Sequence, residues 1–323
     1  MAERLARVLF YGDDHLSSKQ YGGHVDYPNE SLYYYKYIGN LAEQLEATHI
    51  IGLGDFTYGR FNTLEYRNEV ENELKRQYNL VNGNIWKLKG NHDKASYGMT
   101  EYEYYLGKGM FKGTNDGAAK LEIGNVVIDL RDYGHEEPVD LTNNKKHILA
   151  VHGYYVFKNS NLQTFNGVAK YLDELSGFYG VDFILAGHIH EEHRLQGYIS
   201  DGNGNTYPTV VHYLPCLSRP AYHGDKTPTR GCVDYIDIFN DGTYDFNTYE
   251  FDLLPIEKSF DIESIAKKKE KKSVELAIDL SDIVKNLTDH KIDVANPEDV
   301  IMAQENIPLK YREKAKELYM ENL

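Results

Sequence analysis

Two aspartates and a histidine follow directly on an apolar run in the segment Val8-Leu9-Phe10-Tyr11-Gly12-Asp13-Asp14-His15. Taken alone, this reads as a strand running into a solvated turn, since Gly12 and Asp14 are ordinary turn residues. The pattern recurs, however. "THIIGLGDF" ends in Gly54-Asp55, "IWKLKGNHD" in Gly90-Asn91-His92-Asp93, "HILAVHG" in His152-Gly153 and "DFILAGHIH" in Gly187-His188-Ile189-His190. Histidine, aspartate and asparagine supply nitrogen and oxygen donors of intermediate hardness, suited to Mn, Fe, Zn or Co rather than to an all-oxygen Mg or Ca cage. Asp13, His15, Asp55, Asn91, His152, His188 and His190 are too many for one ion. They suit two ions sharing a bridging carboxylate, the usual device for displacement at phosphorus.

Such donors must be gathered by a fold. Residues 31–47 place Leu32, Tyr35, Ile38, Leu41, Ala42 and Leu45 at helical spacing, and 63–78 reads as an exposed, charged helix. "AAKLEIGNVVIDL" predicts two strands joined by a Gly124-Asn125 turn, and a hairpin turn is expected at Asp241-Gly242. Helices and strands alternate, which predicts an α/β architecture. In open α/β sheets ligands gather outside the carboxyl ends of the strands, where these polar residues fall.

Composition narrows the function classes. A chain of 323 residues with 41% hydrophobic content can bury a large core. No apolar run approaches a membrane-spanning length, and MAERLARVLF carries no long apolar leader, so the sequence predicts a cytoplasmic protein without a membrane partner. Two cysteines, Cys216 and Cys232, provide neither a disulfide framework nor paired metal-ligand spacing. The net charge of −15, most of it before residue 255, disfavours an unassisted polyanion-binding surface. Bound cations would change that balance.

In order, Asp13-x-His15, Gly54-Asp55, Gly90-Asn91-His92-Asp93, His152-Gly153 and Gly187-His188-x-His190 resemble the five motifs of the calcineurin-like metallophosphoesterases, over residues 6 to about 254. The resemblance implies a four-layer α-β-β-α sandwich, two mixed sheets flanked by helices, with the metals at one edge. It implies that Asp13, His15 and His190 hold one ion, that Asn91, His152 and His188 hold the other, and that Asp55 bridges them. His92 would then be catalytic, steadying the transition state or protonating the leaving oxygen, and Asp93 would orient it. Manganese is the expected metal, with Fe, Zn or Co as alternatives. The sequence departs from the family at Tyr58, where the second aspartate of a Gly-Asp-x-x-Asp motif often stands.

Gly-Asn-His-Asp resembles the nucleases and nucleotide phosphodiesterases of that superfamily rather than its protein phosphatases. Pro215-Cys216-Leu217-Ser218-Arg219 and Arg230-Gly231-Cys232-Val233-Asp234-Tyr235-Ile236 are similar to a segment of SbcD-type DNA repair nucleases. The chain divides into a catalytic domain, 1–254, and an appendage, 255–323. The latter has a basic run, KKKEKK, an alternating strand pattern through Val274, Leu276, Ile278 and Leu280, and helical patterns over 297–304 and 308–322. The resemblance implies DNA as substrate in recombination and repair, an SbcC-type coiled-coil ATPase docked on the C-terminal helices, and a homodimer. The alternatives are a cyclic-nucleotide or other small-molecule phosphodiesterase, and a non-catalytic scaffold. His193, three residues past His190, is placed to reach substrate. His24, His49, His135, His147, His212, His223 and His290 read as surface or structural, and the tyrosine clusters as packing before base stacking.

Overall fold

The computed structural model describes residues 2–21, 23–58, 62–94, 98–142, 145–160, 162, 169–219, 221–269 and 313. Chain order runs β1 (Arg4–Tyr11), α1 (Tyr27–Gln44), β2 (His49–Gly52), α2 (Leu64–Leu80), β3 (Ile85–Lys87), α3 (Glu101–Gly107), β4 (Ala118–Ile123), β5 (Val126–Arg131) and β6 (Lys146–His152). It continues through β7 (Tyr155–Val156), β8 (Lys170–Tyr171), β9 (Phe183–Gly187), β10 (His193–Ser200), β11 (Thr206–Tyr213), β12 (Arg230–Phe239), β13 (Tyr244–Asp252) and α4 (Ile256–Ser259).

Among the described residues the strands form two mixed sheets and a two-stranded parallel pair, β7-β8. One has the order β13-β12-β1-β2-β3, with β1, β2 and β3 parallel, β12 antiparallel to β1 and β13 antiparallel to β12. The other has the order β10-β11-β9-β6-β5-β4, with β11, β9, β6 and β5 parallel and an antiparallel strand at each edge. Val8, Phe10, Ile51 and Leu53 of the first sheet pack against Ile128, Ile148, Ala150 and Leu185 of the second. Because alternate residues of a strand face opposite ways, Leu9, Tyr11 and Ile50 point outward, into a second core built with Tyr35, Ile38 and Leu41 of α1 and Val70 and Leu74 of α2. Short 3-10 turns at Leu172–Glu174 and Ser176–Phe178 help cover the far face of the second sheet, where Leu149, Val151 and Ile184 pack on Leu172 and Phe178. The fold is thus the expected pair of mixed sheets with helices outside.

Local chemistry sets the helix starts. Asp26 caps α1 by accepting from Asn29 N–H, and Pro28 sits in the first turn; Thr63 caps α2 by accepting from Tyr66 N–H. Both helices begin and end within a few residues of the predicted spans. The hairpins at Gly124-Asn125 and Asp241-Gly242 form as read, with Gly242 left-handed at φ 85°.

The chain divides into compact units Met1–Phe260 and Asp261–Leu323. The first extends past residue 254 because Arg219 donates to Leu254 O at 2.7 Å, Val25 donates to Ser259 O at 2.9 Å, and Phe260 packs on His24 with ring centroids 4.3 Å apart. The strand predicted through Val274–Leu280 and the helices predicted over 297–304 and 308–322 lie outside the described residues, apart from Glu313, which is helical. Among the described residues, no helix is long and apolar enough to cross a membrane.

Candidate metal centre

The five polar strand ends meet. β1, β2 and β3 of one sheet and β6 and β9 of the other all finish at the same edge of the sandwich, so loops distant in sequence deliver their side chains to one place. Asp13, His15 and His190 form one group of potential metal donors, and Asp55, His152 and His188 another.

Within the first group, His15 Nε2 and His190 Nε2 lie 2.9 Å apart, and Asp13 Oδ2 is 3.7 and 3.5 Å from them. In the second, Asn91 Oδ1 is 3.1 Å from His152 Nε2 and 2.9 Å from His188 Nδ1. Asp55 Oδ2 stands between the groups, 3.7 Å from His15 Nε2 and 3.5 Å from His152 Nε2. Donors bound to one ion at about 2.0–2.2 Å sit roughly 3–3.5 Å from each other, so the arrangement fits two ions with Asp55 shared. Side-chain orientation is fixed from behind: His152 Nδ1 donates to Leu53 O at 2.7 Å, which turns Nε2 toward the donors, and His188 N–H donates to Asp13 Oδ1 at 3.0 Å.

The backbone is bent to achieve this. His15 (φ 45°), Asp55 (φ 44°) and His188 (φ 96°) are left-handed non-glycine residues, a conformation that costs free energy and concentrates at functional sites. Two glycines are required by close approach. A Cβ on Gly54, itself at φ 122°, would collide with the His152 ring, and one on Gly90 would collide with the Asp55 carboxylate.

Electrostatics favour neutral imidazoles at three of the candidate ligands. Burial lowers His188 and His190 to about 4, and drives His15 well below its ordinary value. Burial also pulls on His152, but Asp13 and Asp55 outweigh it and raise this imidazole to about 9. Burial would raise Asp55, yet His152, His15 and the His92 N–H together hold it below the usual carboxylate range. Asp13 is raised to about 7, first by burial. His152 therefore carries a proton at neutral pH in the chain stripped of metal, and an ion binding its Nε2 must displace that proton. Metal binding at pH 7.5 should release about one proton or more, and affinity should fall as pH drops below about 9. Calorimetry in two buffers of different ionisation enthalpy measures this; a buffer-independent heat would remove His152 from the ligand set.

His92 stands apart from both donor groups. Its ring is partly exposed, Nε2 is 4.0 Å from Asp55 Oδ2, and its backbone N–H donates to Asp55 Oδ1 at 2.8 Å. Tyr58 stacks on it, with centroids 4.9 Å apart and planes at 26°, and meets His15 edge-on at 4.9 Å. Tyr58 therefore forms an aromatic wall beside His92 and His15.

Asp93 requires a correction. It was expected to orient the His92 ring, but its buried carboxylate accepts from the backbone N–H groups of Gly90 (2.9 Å), Phe56 (3.1 Å) and Thr57 (3.3 Å). It ties the Asn91-His92 loop to the Asp55 loop, because three converging N–H groups compensate a carboxylate that burial raises to about 7. Asp14 is the second correction. Read as the solvated turn residue beside Asp13, it is buried and paired with Lys87 Nζ at 2.6 Å. A signal was present in "IWKLKG": Lys87 shares the helix-covered face of β3 with Ile85, and a lysine there needs a buried partner.

His193 pairs with Glu191 at 3.6 Å at the start of β10, and His147 and His212 lie buried against Asp129 and Asp234. Tyr34, Tyr35 and Tyr105 are buried, in keeping with the packing reading of the tyrosine clusters. Tyr133 was not singled out by sequence and lies beside the centre, its ring 5.5 Å from His188 with Lys94 Nζ 5.0 Å over it.

Fold and centre together define a two-sheet α/β chain with two adjoining groups of metal donors. No family model and no curated protein matches the sequence. Among solved structures the chain is similar to a dimetal phosphatase from Danio rerio, at 11% identity and a TM-score of 0.47, over 78% of this chain and 100% of the other.

Proposed function

We propose that the protein is a binuclear-metal-dependent phosphodiesterase. The observation that carries this reading is Asp55 Oδ2, placed between His15 and His152 so that one carboxylate can serve both donor groups. Asp13, His15 and His190 would hold one ion, and Asn91, His152 and His188 the other. Two such ions, with Mn favoured and Fe, Zn or Co as alternatives, activate a water and neutralise charge on a phosphoryl group. The chain's own part is to fix the donors, to keep His188 and His190 unprotonated, and to hold His92 beside the reacting phosphorus. Tyr58 limits the His92 ring by stacking, and Asp93 holds the loop that presents it.

His92→Ala should leave metal content nearly unchanged while slowing turnover by ~10²-fold or more, the usual contribution of a positioned general acid. Metal analysis beside kcat checks both halves. Loss of the ions in this variant would contradict the role.

For substrate, the Gly-Asn-His-Asp motif supports a DNA exonuclease or endonuclease of the SbcD type acting in repair with an SbcC-type ATPase. The second reading, a nucleotide or small-molecule phosphodiesterase, is favoured by the net charge of −15, which opposes a long polyanion. The deciding assay compares end-labelled duplex DNA, single-stranded DNA, cyclic nucleotides, a phosphoprotein and an activated phosphodiester, with Mn and with Mg. Cleavage of no DNA, with or without the ATPase, ends the nuclease reading; hydrolysis of none of the substrates ends the phosphodiesterase reading. Recovery of a coiled-coil ATPase by the chain with and without residues 295–323 tests the docking proposal, and equal recovery defeats it.

A further inference from the structure

A third donor group lies beyond the centre. The loop that carries His188 and His190 continues to Glu192, whose side chain is 46% exposed, and then enters β10. Glu192 Oε1 is 3.2 Å from Nε2 of His212, a fully buried residue of β11 in the second sheet. Cys232, also buried, reaches the same point from β12 in the first sheet. One donor atom from each of the three lies within 4.8 Å of the others.

A buried carboxylate stands behind the imidazole of this group. His212 Nδ1 contacts Asp234 Oδ2 at 2.5 Å, and Asp234 Oδ1 accepts from Thr248 Oγ1 at 2.7 Å. A buried carboxylate behind an imidazole fixes the ring and its tautomer and directs the opposite nitrogen at an ion. The proposed binuclear centre uses none of these residues, and an apolar sandwich has no packing need for a histidine, an aspartate and a thiol at one point.

We propose that Glu192, His212 and Cys232 form a separate mononuclear site for a zinc-class divalent ion. One oxygen, one imidazole nitrogen and one sulfur are a borderline-soft set that selects Zn²⁺ over Mg²⁺ or Ca²⁺. Three protein ligands leave a fourth position, on the solvent side where Glu192 is exposed, for water. The ion displaces the Cys232 proton to solvent on binding. Ligand atoms around zinc stand roughly 3.3–3.8 Å apart, so closure needs movements of about 1 Å at most, which the exposed Glu192 side chain can make. Such an ion would join both sheets to the loop bearing His188 and His190, and would position that loop without touching substrate.

The test uses sulfur as the reporter, because the binuclear donor set contains none. Full-length protein stripped with chelator is titrated with Co²⁺ and followed by the near-ultraviolet thiolate-to-cobalt charge-transfer band. The band is expected in wild type, in Cys216→Ser, which removes the other thiol, and in Asp55→Asn, which disables the proposed binuclear centre. It should vanish in Cys232→Ser, bleach when Zn²⁺ is added, and require at least ~10-fold more Co²⁺ in Glu192→Gln, whose exposed side chain leaves folding intact. Absence of the band in wild type at saturating Co²⁺, its survival in Cys232→Ser, or unchanged affinity in Glu192→Gln would overturn the site. Because the Asp55→Asn arm keeps this signal when the binuclear ions are lost, failure of either site is read separately.

Discussion

Replacing Asp55 with asparagine should remove both ions of the proposed binuclear centre together and abolish the proposed phosphodiester hydrolysis. Asp55 Oδ2 lies 3.7 Å from His15 Nε2 and 3.5 Å from His152 Nε2, so neutralising this carboxylate weakens both donor groups at once. The substitution keeps the size of the side chain and an oxygen able to accept from the His92 N–H, the bond that Asp55 Oδ1 makes at 2.8 Å. The defect is therefore one of charge and coordination, not of fold. Loss of a group that merely supports a ligand typically costs 10–100-fold in metal affinity or activity, so loss of the shared ligand should cost more than ~10²-fold. Metal content by mass spectrometry and kcat on an activated phosphodiester are the readouts. A variant retaining both ions, or losing only one, would show that the centre is not built around this residue.

Lys87→Ala should cost the fold about 3–5 kcal/mol, because it strands a buried carboxylate. Both Lys87 and Asp14 side chains are 1% exposed, and their 2.6 Å pair is enclosed by aromatic rings: Lys87 Nζ also contacts the Tyr11 hydroxyl and lies 4.9 Å from the Tyr35 centroid and 4.7 Å from that of Phe56. Burial raises Asp14 to about 6 and lowers Lys87, each opposed by the other's charge, so removing one partner leaves the other with its full desolvation penalty. For a unit of this size the melting temperature should fall by roughly 6–20 °C. Combining Lys87→Met with Asp14→Asn should recover most of the loss, since neither residue is then charged. A single-variant cost below about 1 kcal/mol in denaturant unfolding would refute this account.

These two residues show where sequence reading reached and where it stopped. Asp55 was legible because a carboxylate after an apolar strand, repeated with His and Asn at four other strand ends, is improbable as a set of turns. The pairing of Lys87 with Asp14 was not, because the partner of a buried charge can come from any strand. Asp13 and Asp14 are adjacent in sequence, yet one faces the donor cluster and the other the aromatic pocket beneath it. Asp93 was identified as part of the site, but its role changed because backbone N–H groups carry no signature in a sequence.

By itself, the sequence determined the alternation of elements, the apolar faces of the helices and strands, and the polar residues that end five strands. Periodicity and residue chemistry are local properties, and they survive in one dimension. Only the tertiary structure decided that β1, β2 and β3 of one sheet and β6 and β9 of the other finish at a common edge, with Asp55 between two donor groups. It alone brought Glu192, His212 and Cys232 together from a loop and two sheets. Distances between remote residues are set by how sheets stack and loops bend, and no spacing along the chain encodes them.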